Sequence, residues 1–309
     1  MAPPHSADPA GEVFTTIVAE HVRRIEQRLP PALADEDDAV HRLRTAVRRL
    51  RTVLAVYRPV FERKEVRQLR RRLAELGDVL GEARDLEVRR ADVESVGAAA
   101  SVSRDARARL VAELDREHAA AHARFVDYAG GLQMRATTAE LIRWVREPPR
   151  GKAADRRAGK VARQRLRKAV DRVGRAAADL DLQALAEVTV EDLDDRAALD
   201  DLLARAHRLR KAGRRLSQGA RVVTRTPTKV LGSRAKELGA AGKTLQSSLG
   251  DHRDALLLAL LARDHAAEAA AHGEDPAPYD RLARAATRRA ADALADLPDA
   301  VDRLTSKAP

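Results

Sequence analysis

The chain has 309 residues, of which 58 are Lys or Arg and 47 are Asp or Glu, giving a formal net charge of +11 at pH 7. It contains no cysteine, which excludes disulfides, thiolate metal sites and a cysteine nucleophile. Hydrophobic residues make up 44% of the chain but aromatic residues only 2%, so a core must be built from Leu, Val and Ala, a composition that favours helix over sheet.

Apolar residues recur at helical spacing along almost the whole chain, and no segment shows the sustained alternation of a strand. We therefore predict an all-α protein. The predicted helices lie near 12–29, 38–57, 62–80, 83–97, 102–128, 136–147, 155–178, 195–224, 228–249, 251–272 and 277–296. Proline and glycine mark the breaks between them.

The segment EPPRGK at 147–152 is the best candidate for a boundary between two halves. The predicted organisation is a disordered N-terminus at 1–11, an N-terminal helical half at 12–148 and a C-terminal helical half at 149–305. Because no stretch of roughly 18 apolar residues and no secretory leader is found, we expect a cytoplasmic protein that does not enter a membrane.

One histidine-led, arginine-rich segment occurs twice, 166 residues apart, as VHRLRTAVRRLR at 40–51 and AHRLRKAGRRL at 206–216. On a helix, Arg44, Arg48 and Arg51 fall on one face and the leucines on another. Like charges at this spacing repel one another. An all-positive face therefore indicates a polyanionic partner.

A second pair of motifs follows, LGEARD at 80–85 and LGDHRD at 249–254, with an offset of 169 residues. The two pairs keep nearly the same register, which predicts duplicated helical bundles related by a pseudo-twofold axis. The basic helices of the two halves would then face each other across a central channel. We expect helix ends at these glycines, so that Asp85 and Asp254 act as N-caps or orient neighbouring arginines.

These motifs resemble those of a CHAD domain, the conserved histidine α-helical domain. The resemblance rests on the doubled H-x-x-R-x-x-x-[KR]-[KR]-L pattern at His41 and His207 and on the two LG motifs, and it covers roughly residues 12–300. It implies two four-helix bundles around a basic central cavity that binds inorganic polyphosphate without catalysis, in proteins reported at polyphosphate granules. The chain departs from the pattern at Ser217 and Gln218, and it lacks the Glu-x-Glu-x-Lys strand of a triphosphate tunnel domain, so it is similar to a stand-alone member.

The candidate polyphosphate-binding residues are the histidines and cations of these motifs, a third stripe in the helix at 155–178, and a lysine before the second LG motif. Arginine suits the task because its planar fork donates two hydrogen bonds to phosphate and stays charged. The candidates are His41, Arg44, Arg48, Arg49, Arg51, Arg84, Lys160, Arg163, Arg167, His207, Arg210, Lys211, Arg214, Arg215, Lys243 and His252.

Three alternatives stay open at the level of sequence. Nucleic-acid binding shares the electrostatics, but few aromatic residues are available to stack on bases. A phosphoryl-transferring enzyme would need carboxylates beside the cations, whereas the acids lie mainly around 35–38 and 191–201, so we expect no catalysis. The histidines could pack at a bundle interface or bind a metal; we predict neither a metal nor a cofactor.

Overall fold

The computed structural model describes residues 6–225 and 228–305, and these residues form helices joined by short connections, with no sheet. The prediction of an all-α protein is confirmed. In chain order the helices are α1 (Ala10–Leu33), α2 (Ala39–Val56), α3 (Arg63–Ala99), α4 (Arg104–Gly130), α5 (Leu132–Arg146), α6 (Ala158–Ala178), α7 (Leu182–Ala186), α8 (Arg196–Thr224), α9 (Ser233–Ala271), α10 (Ala277–Asp292) and α11 (Leu297–Thr305). Within the described ranges, no helix combines the length and the hydropathy that crossing a bilayer requires.

Leucine and valine stripes orient the two basic helices. On α2, Leu43, Val47 and Leu50 are fully buried, and on α8 the same holds for Leu209 and Leu216. Burial of each such side chain contributes about 1.5–3 kcal/mol, which outweighs a few tenths of a kcal/mol of repulsion between neighbouring arginines. The apolar stripe therefore fixes which way the cationic stripe faces.

Helices α3 and α9 run without interruption through the two LG motifs, so the breaks predicted near 80–83 and 249–251 are wrong. A glycine inside a helix costs only about 1 kcal/mol, and tertiary packing overrides that cost. Asp85 and Asp254 consequently lie inside long helices, and their prediction as N-caps is also wrong.

The helix pair α8 and α9 is held at very short range by glycines. A Cβ atom on Gly213 would lie 3.0 Å from the Gly242 carbonyl oxygen, and one on Gly242 would lie 2.9 Å from the Gly213 oxygen. Only glycine allows two helix backbones to approach this closely. The approach brings the cationic stripe of α8 next to α9.

Helices α2 and α8 also contact each other directly. The buried Tyr57, just after α2, donates a hydrogen bond of 2.8 Å from its hydroxyl to the carbonyl oxygen of Gly219 in α8. Its ring lies 4.0 Å, centroid to centroid, from that of Phe14 in α1. This contact joins the two regions that carry the histidine-led segments; the pseudo-twofold relation between them stays a prediction.

The segment between α5 and α6 is bonded to the N-terminal region. Gly151 donates to the Val60 carbonyl oxygen at 2.8 Å, and Gly11 donates to that of Ala154 at 2.7 Å. Residues 6–11 were predicted to be disordered; instead they pair with 154–159, and α1 already begins at Ala10, because buried backbone groups there find partners. Residues 1–5 lie outside the described residues.

Candidate anion-binding cavity

A cavity of about 680 Å³ lies between α2, α3, α8 and α9. Ten of the predicted binding residues line it: His41, Arg44, Arg48, Arg51, Arg84, His207, Arg210, Lys211, Arg214 and Arg215. The cationic stripe of α2 thus meets that of α8 in one space. The lining contains nine arginines and one lysine against four aspartates, so the wall is strongly positive.

The cations of the cavity repel one another at close range. Burial, together with Arg44 and Arg210, lowers the pKa of Arg48 to about 10. Burial and the nearby Arg48 and Arg210 likewise lower the pKa of Arg214 to about 10. Both groups are still charged at neutral pH, so the folded protein holds like charges together at a cost in free energy.

Several of these cations lack a partner that would relieve this cost. Arg44 pairs with Asp85 at 3.1 Å, whereas Arg48 and Arg214 form no ion pair among the described residues. The buried Nε atom of Arg210 has no hydrogen-bond acceptor there either. A buried donor left without an acceptor costs about 1–3 kcal/mol. An anionic ligand with several oxygen atoms would stabilise the whole group.

The glycines of the two LG motifs provide room for arginine side chains. A Cβ atom on Gly81 would lie 3.5 Å from a guanidinium nitrogen of Arg44, and one on Gly250 would lie 3.7 Å from Nε of Arg210. Each guanidinium therefore rests on the bare backbone of the facing long helix. The motifs position the arginines of the basic helices.

Four aspartates share the cavity wall, namely Asp78, Asp85, Asp251 and Asp254. The acids were expected mainly around 35–38 and 191–201, but α3 and α9 each place two aspartates beside the cations of the cavity. Asp85 pairs with Arg44, as predicted for an orienting carboxylate. Burial raises the pKa of Asp254, while the neighbouring Arg210 acts in the opposite direction.

Both motif histidines lie at the cavity, where His41 is half-buried and His207 is exposed. Burial, and to a smaller extent the charge of Arg84, lowers the pKa of His41 below 6.5. Burial, then the charge of Lys211, lowers that of His207. Both rings are consequently neutral at pH 7 and can donate one hydrogen bond each to a phosphate oxygen.

Six predicted residues do not line the cavity. Arg49 lies on another side of α2, and the side chains of Lys160, Arg163, Arg167 and Lys243 are exposed elsewhere. His252 is buried, with its Nε2 3.3 Å from the carbonyl oxygen of Leu185, so it ties α9 to α7. Helical periodicity shows which residues share a face but not which neighbouring helix covers that face.

Sequence reasoning missed two cations of the cavity, Arg70 and Arg253. A signal for Arg253 was present, because alignment of LGEARD with LGDHRD pairs it with Arg84. Arg70 has no counterpart, since residue 239 in the second half is a glycine. In the part of the chain that the structure describes, no group of three or more His, Asp or Glu residues is placed to hold a metal ion.

The chain is similar to known proteins both in sequence and in structure. The family model of the CHAD domain matches residues 16–263. The structure is similar to that of PptA from Streptomyces chartreusis, with a TM-score of 0.70 and 19% identity over 97% of this chain and 100% of that one. It is also similar to the CHAD domain from the plant Ricinus communis, with a TM-score of 0.65 and 19% identity over 99% and 94% of the two chains. No curated protein matches the sequence.

Proposed function

The chain belongs to the CHAD domain family, and from that premise we propose that it binds inorganic polyphosphate in the cavity between α2, α3, α8 and α9. The observation that carries the proposal is the pair Arg48 and Arg214, which are brought together with lowered pKa values and no ion-pair partner among the described residues. Polyphosphate is a flexible line of closely spaced negative charges. Arg44 to Arg51 spans about 10 Å of helix, enough for several phosphates in a row.

The proposed function is binding without catalysis. Phosphoryl transfer requires carboxylates that are free to hold divalent cations beside the phosphates. Two of the four aspartates of the cavity wall are engaged by arginines, since Asp85 pairs with Arg44 and Asp254 lies 3.3 Å from Arg253. These aspartates orient arginines, which supports a binding role.

Nucleic acid is the alternative ligand. A single strand is held by aromatic side chains on which bases stack, together with a cationic groove. The cavity lining has the cations but no Phe, Tyr or Trp. The lining therefore favours a polyanion without bases.

We propose further that the protein acts in the cytoplasm, at polyphosphate granules. Microscopy of a fluorescent fusion protein together with a granule stain would test this localisation.

Calorimetric titration with long-chain polyphosphate at about 150 mM salt, where loose electrostatic association is weakened, tests the proposal. Duplex DNA and single-stranded RNA serve as competitors. Tight binding that nucleic acids fail to displace supports it. Equal or tighter binding of nucleic acid would favour the alternative.

Charge reversal localises the site. Replacing Arg44, Arg48, Arg210 and Arg214 together by Glu should abolish polyphosphate binding while the helix content, measured by circular dichroism, is kept. The matched control reverses four exposed cations of α6, namely Lys160, Arg163, Arg167 and Lys168. An equal loss of affinity in the control would show that the cavity is not the site.

A further inference from the structure

A second group of cations lies outside the cavity, where α1, α2 and α8 meet. It consists of Arg24 and Arg28 from α1, Arg49 from α2 and Arg221 from α8, and is called the second cluster below. All four side chains are partly exposed and so can be reached from solvent. Arg49 directly follows the cavity residue Arg48, and the rotation of about 100° per residue turns it away from the cavity.

The second cluster is scarcely neutralised by the protein. Arg24 pairs with Glu20 on its own helix, and Arg28 donates to the Arg42 carbonyl oxygen at 3.0 Å. Over the described ranges, Arg49 and Arg221 form no ion pair. Burial and the charges of Arg221 and Arg28 lower the pKa of Arg49 to about 10. Here too the fold holds like charges together.

A buried histidine lies among these arginines. Only 4% of the surface of His21 is exposed, and its Nδ1 atom has no hydrogen-bond partner among the residues that the structure describes. The Nε atom of Arg49 is buried as well and has no hydrogen-bond acceptor within the described ranges. Burial and the adjacent Arg24, Arg49 and Arg221 lower the pKa of His21 to about 4. Buried nitrogen atoms without partners, surrounded by positive charge, favour the binding of a ligand with anionic oxygen atoms.

Helix α8 connects the second cluster with the cavity. Arg214, on the cavity wall, and Arg221 are seven residues apart, which is close to two helical turns, so they share one face of α8 and lie about 10 Å apart along its axis. His207 and Arg210 precede them on the same face. One face of α8 thus carries Arg210 and Arg214 at the cavity and Arg221 at the second cluster, with the buried Ser217 on the turn between them.

We propose that the second cluster is a second phosphate-binding surface, which holds a further stretch of a polyphosphate chain whose other part lies in the cavity. This inference rests on the proposed function. A chain long enough to reach both surfaces gains from the high effective concentration of its second part, whereas a short chain occupies the cavity alone. Affinity therefore rises with chain length more steeply than the cavity alone would allow.

Two matched double variants of the full chain separate the surfaces. Arg49→Gln with Arg221→Gln changes the second cluster, and Arg48→Gln with Arg214→Gln changes the cavity. Arg163→Gln with Arg167→Gln removes the same charge from the exposed side of α6 as a control. Dissociation constants are measured by calorimetry for tripolyphosphate and for long-chain polyphosphate.

We expect the second-cluster variant to lose roughly tenfold or more in affinity for the long chain and to bind tripolyphosphate like the wild type. The cavity variant should lose affinity for both ligands, and the control for neither. Wild-type affinity of the second-cluster variant for the long chain would overturn the inference while leaving the proposed function intact. Failure of the wild type to bind either ligand would overturn both.

A measurement on the unmodified chain covers the case of a variant that does not fold. The imidazole resonances of His21 are followed by NMR during titration with each ligand. The long chain should shift them, and tripolyphosphate at cavity saturation should not. Resonances that stay fixed with the long chain would contradict a phosphate-binding surface beside His21.

Discussion

Replacing Arg48 by Gln should make the unliganded protein more stable, although it removes a ligand-binding group. Folding lowers the pKa of Arg48 to about 10, well below the ordinary value of a guanidinium, mainly through burial, and this difference corresponds to about 3 kcal/mol. Because the folded-state pKa is the lower one, the penalty is present in full below about pH 10 and is lost only as the pH rises above that value towards the pKa of the unfolded chain. At pH 7 the whole penalty therefore acts against folding.

The expected gain is smaller than that figure. Arg48 is partly exposed, so solvent screens its charge, and its aliphatic stem packs against neighbours. We expect the free energy of unfolding to rise by ~1 kcal/mol, equivalent to a Tm increase of roughly 2–4 °C. Urea denaturation followed by the fluorescence of Trp144, the single and fully buried tryptophan, measures it.

Arg44→Gln is the matched control, one turn away on the same helix. Arg44 pairs with Asp85 at 3.1 Å, so its loss should lower the free energy of unfolding or leave it unchanged. Long-chain polyphosphate should then raise the Tm of the wild type more than that of Arg48→Gln. A destabilised Arg48→Gln beside an unaffected Arg44→Gln would refute the view that the cavity stores charge repulsion.

Three further predictions follow from the geometry. Because the pKa values of His41 and His207 are lowered in the free protein, a bound polyanion should raise them, and polyphosphate affinity should increase as the pH falls from 8 towards 6. Calorimetry in buffers of different ionisation enthalpy should detect proton uptake on binding. Absence of proton uptake would contradict this prediction. Gly213→Ala should lower the free energy of unfolding by ~1–3 kcal/mol because its Cβ would meet the backbone of α9. Gly174→Ala, whose Cβ would meet nothing within 4 Å, should raise the free energy of unfolding by ~0.5–1 kcal/mol. Equal stabilities of the two variants in thermal denaturation would contradict close packing of α8 on α9. Tyr57→Phe removes the 2.8 Å hydrogen bond to α8 and should lower the free energy of unfolding by ~1 kcal/mol, and an unchanged urea midpoint would show that this bond contributes nothing.

The sequence predicted the helical fold and most of the cavity because one pattern governs both. Leu43 and Leu209 must be buried, and the spacing of the arginines relative to these leucines then determines the direction of the cationic faces. The repeated register of the two motif pairs indicated that these faces would meet. None of this required knowledge of side-chain conformations.

Other features depend on contacts between helices and could not be predicted. Gly81 was interpreted as a helix end. The sequence does not show that the guanidinium of Arg44, from a different helix, lies against this glycine. Arg49 was assigned to the cavity because it belongs to the histidine-led motif, and only the positions of α1 and α8 show that it lies in a different cluster. The cations of α6 share a face, but no sequence pattern shows that this face is directed to solvent.

The bonded connection between α5 and α6 has a consequence for the kinetics of ligand capture. Gly151 donates a hydrogen bond to Val60, and a Cβ atom at this position would lie 2.3 Å from the Phe61 carbonyl oxygen. The connection is therefore packed too closely to act as a hinge. The folded chain therefore sets the spacing of the cavity walls before a ligand binds, so the cavity is preorganised. Association should proceed near the electrostatically steered limit, and differences in affinity between polyphosphates of different length should lie in how slowly each one departs.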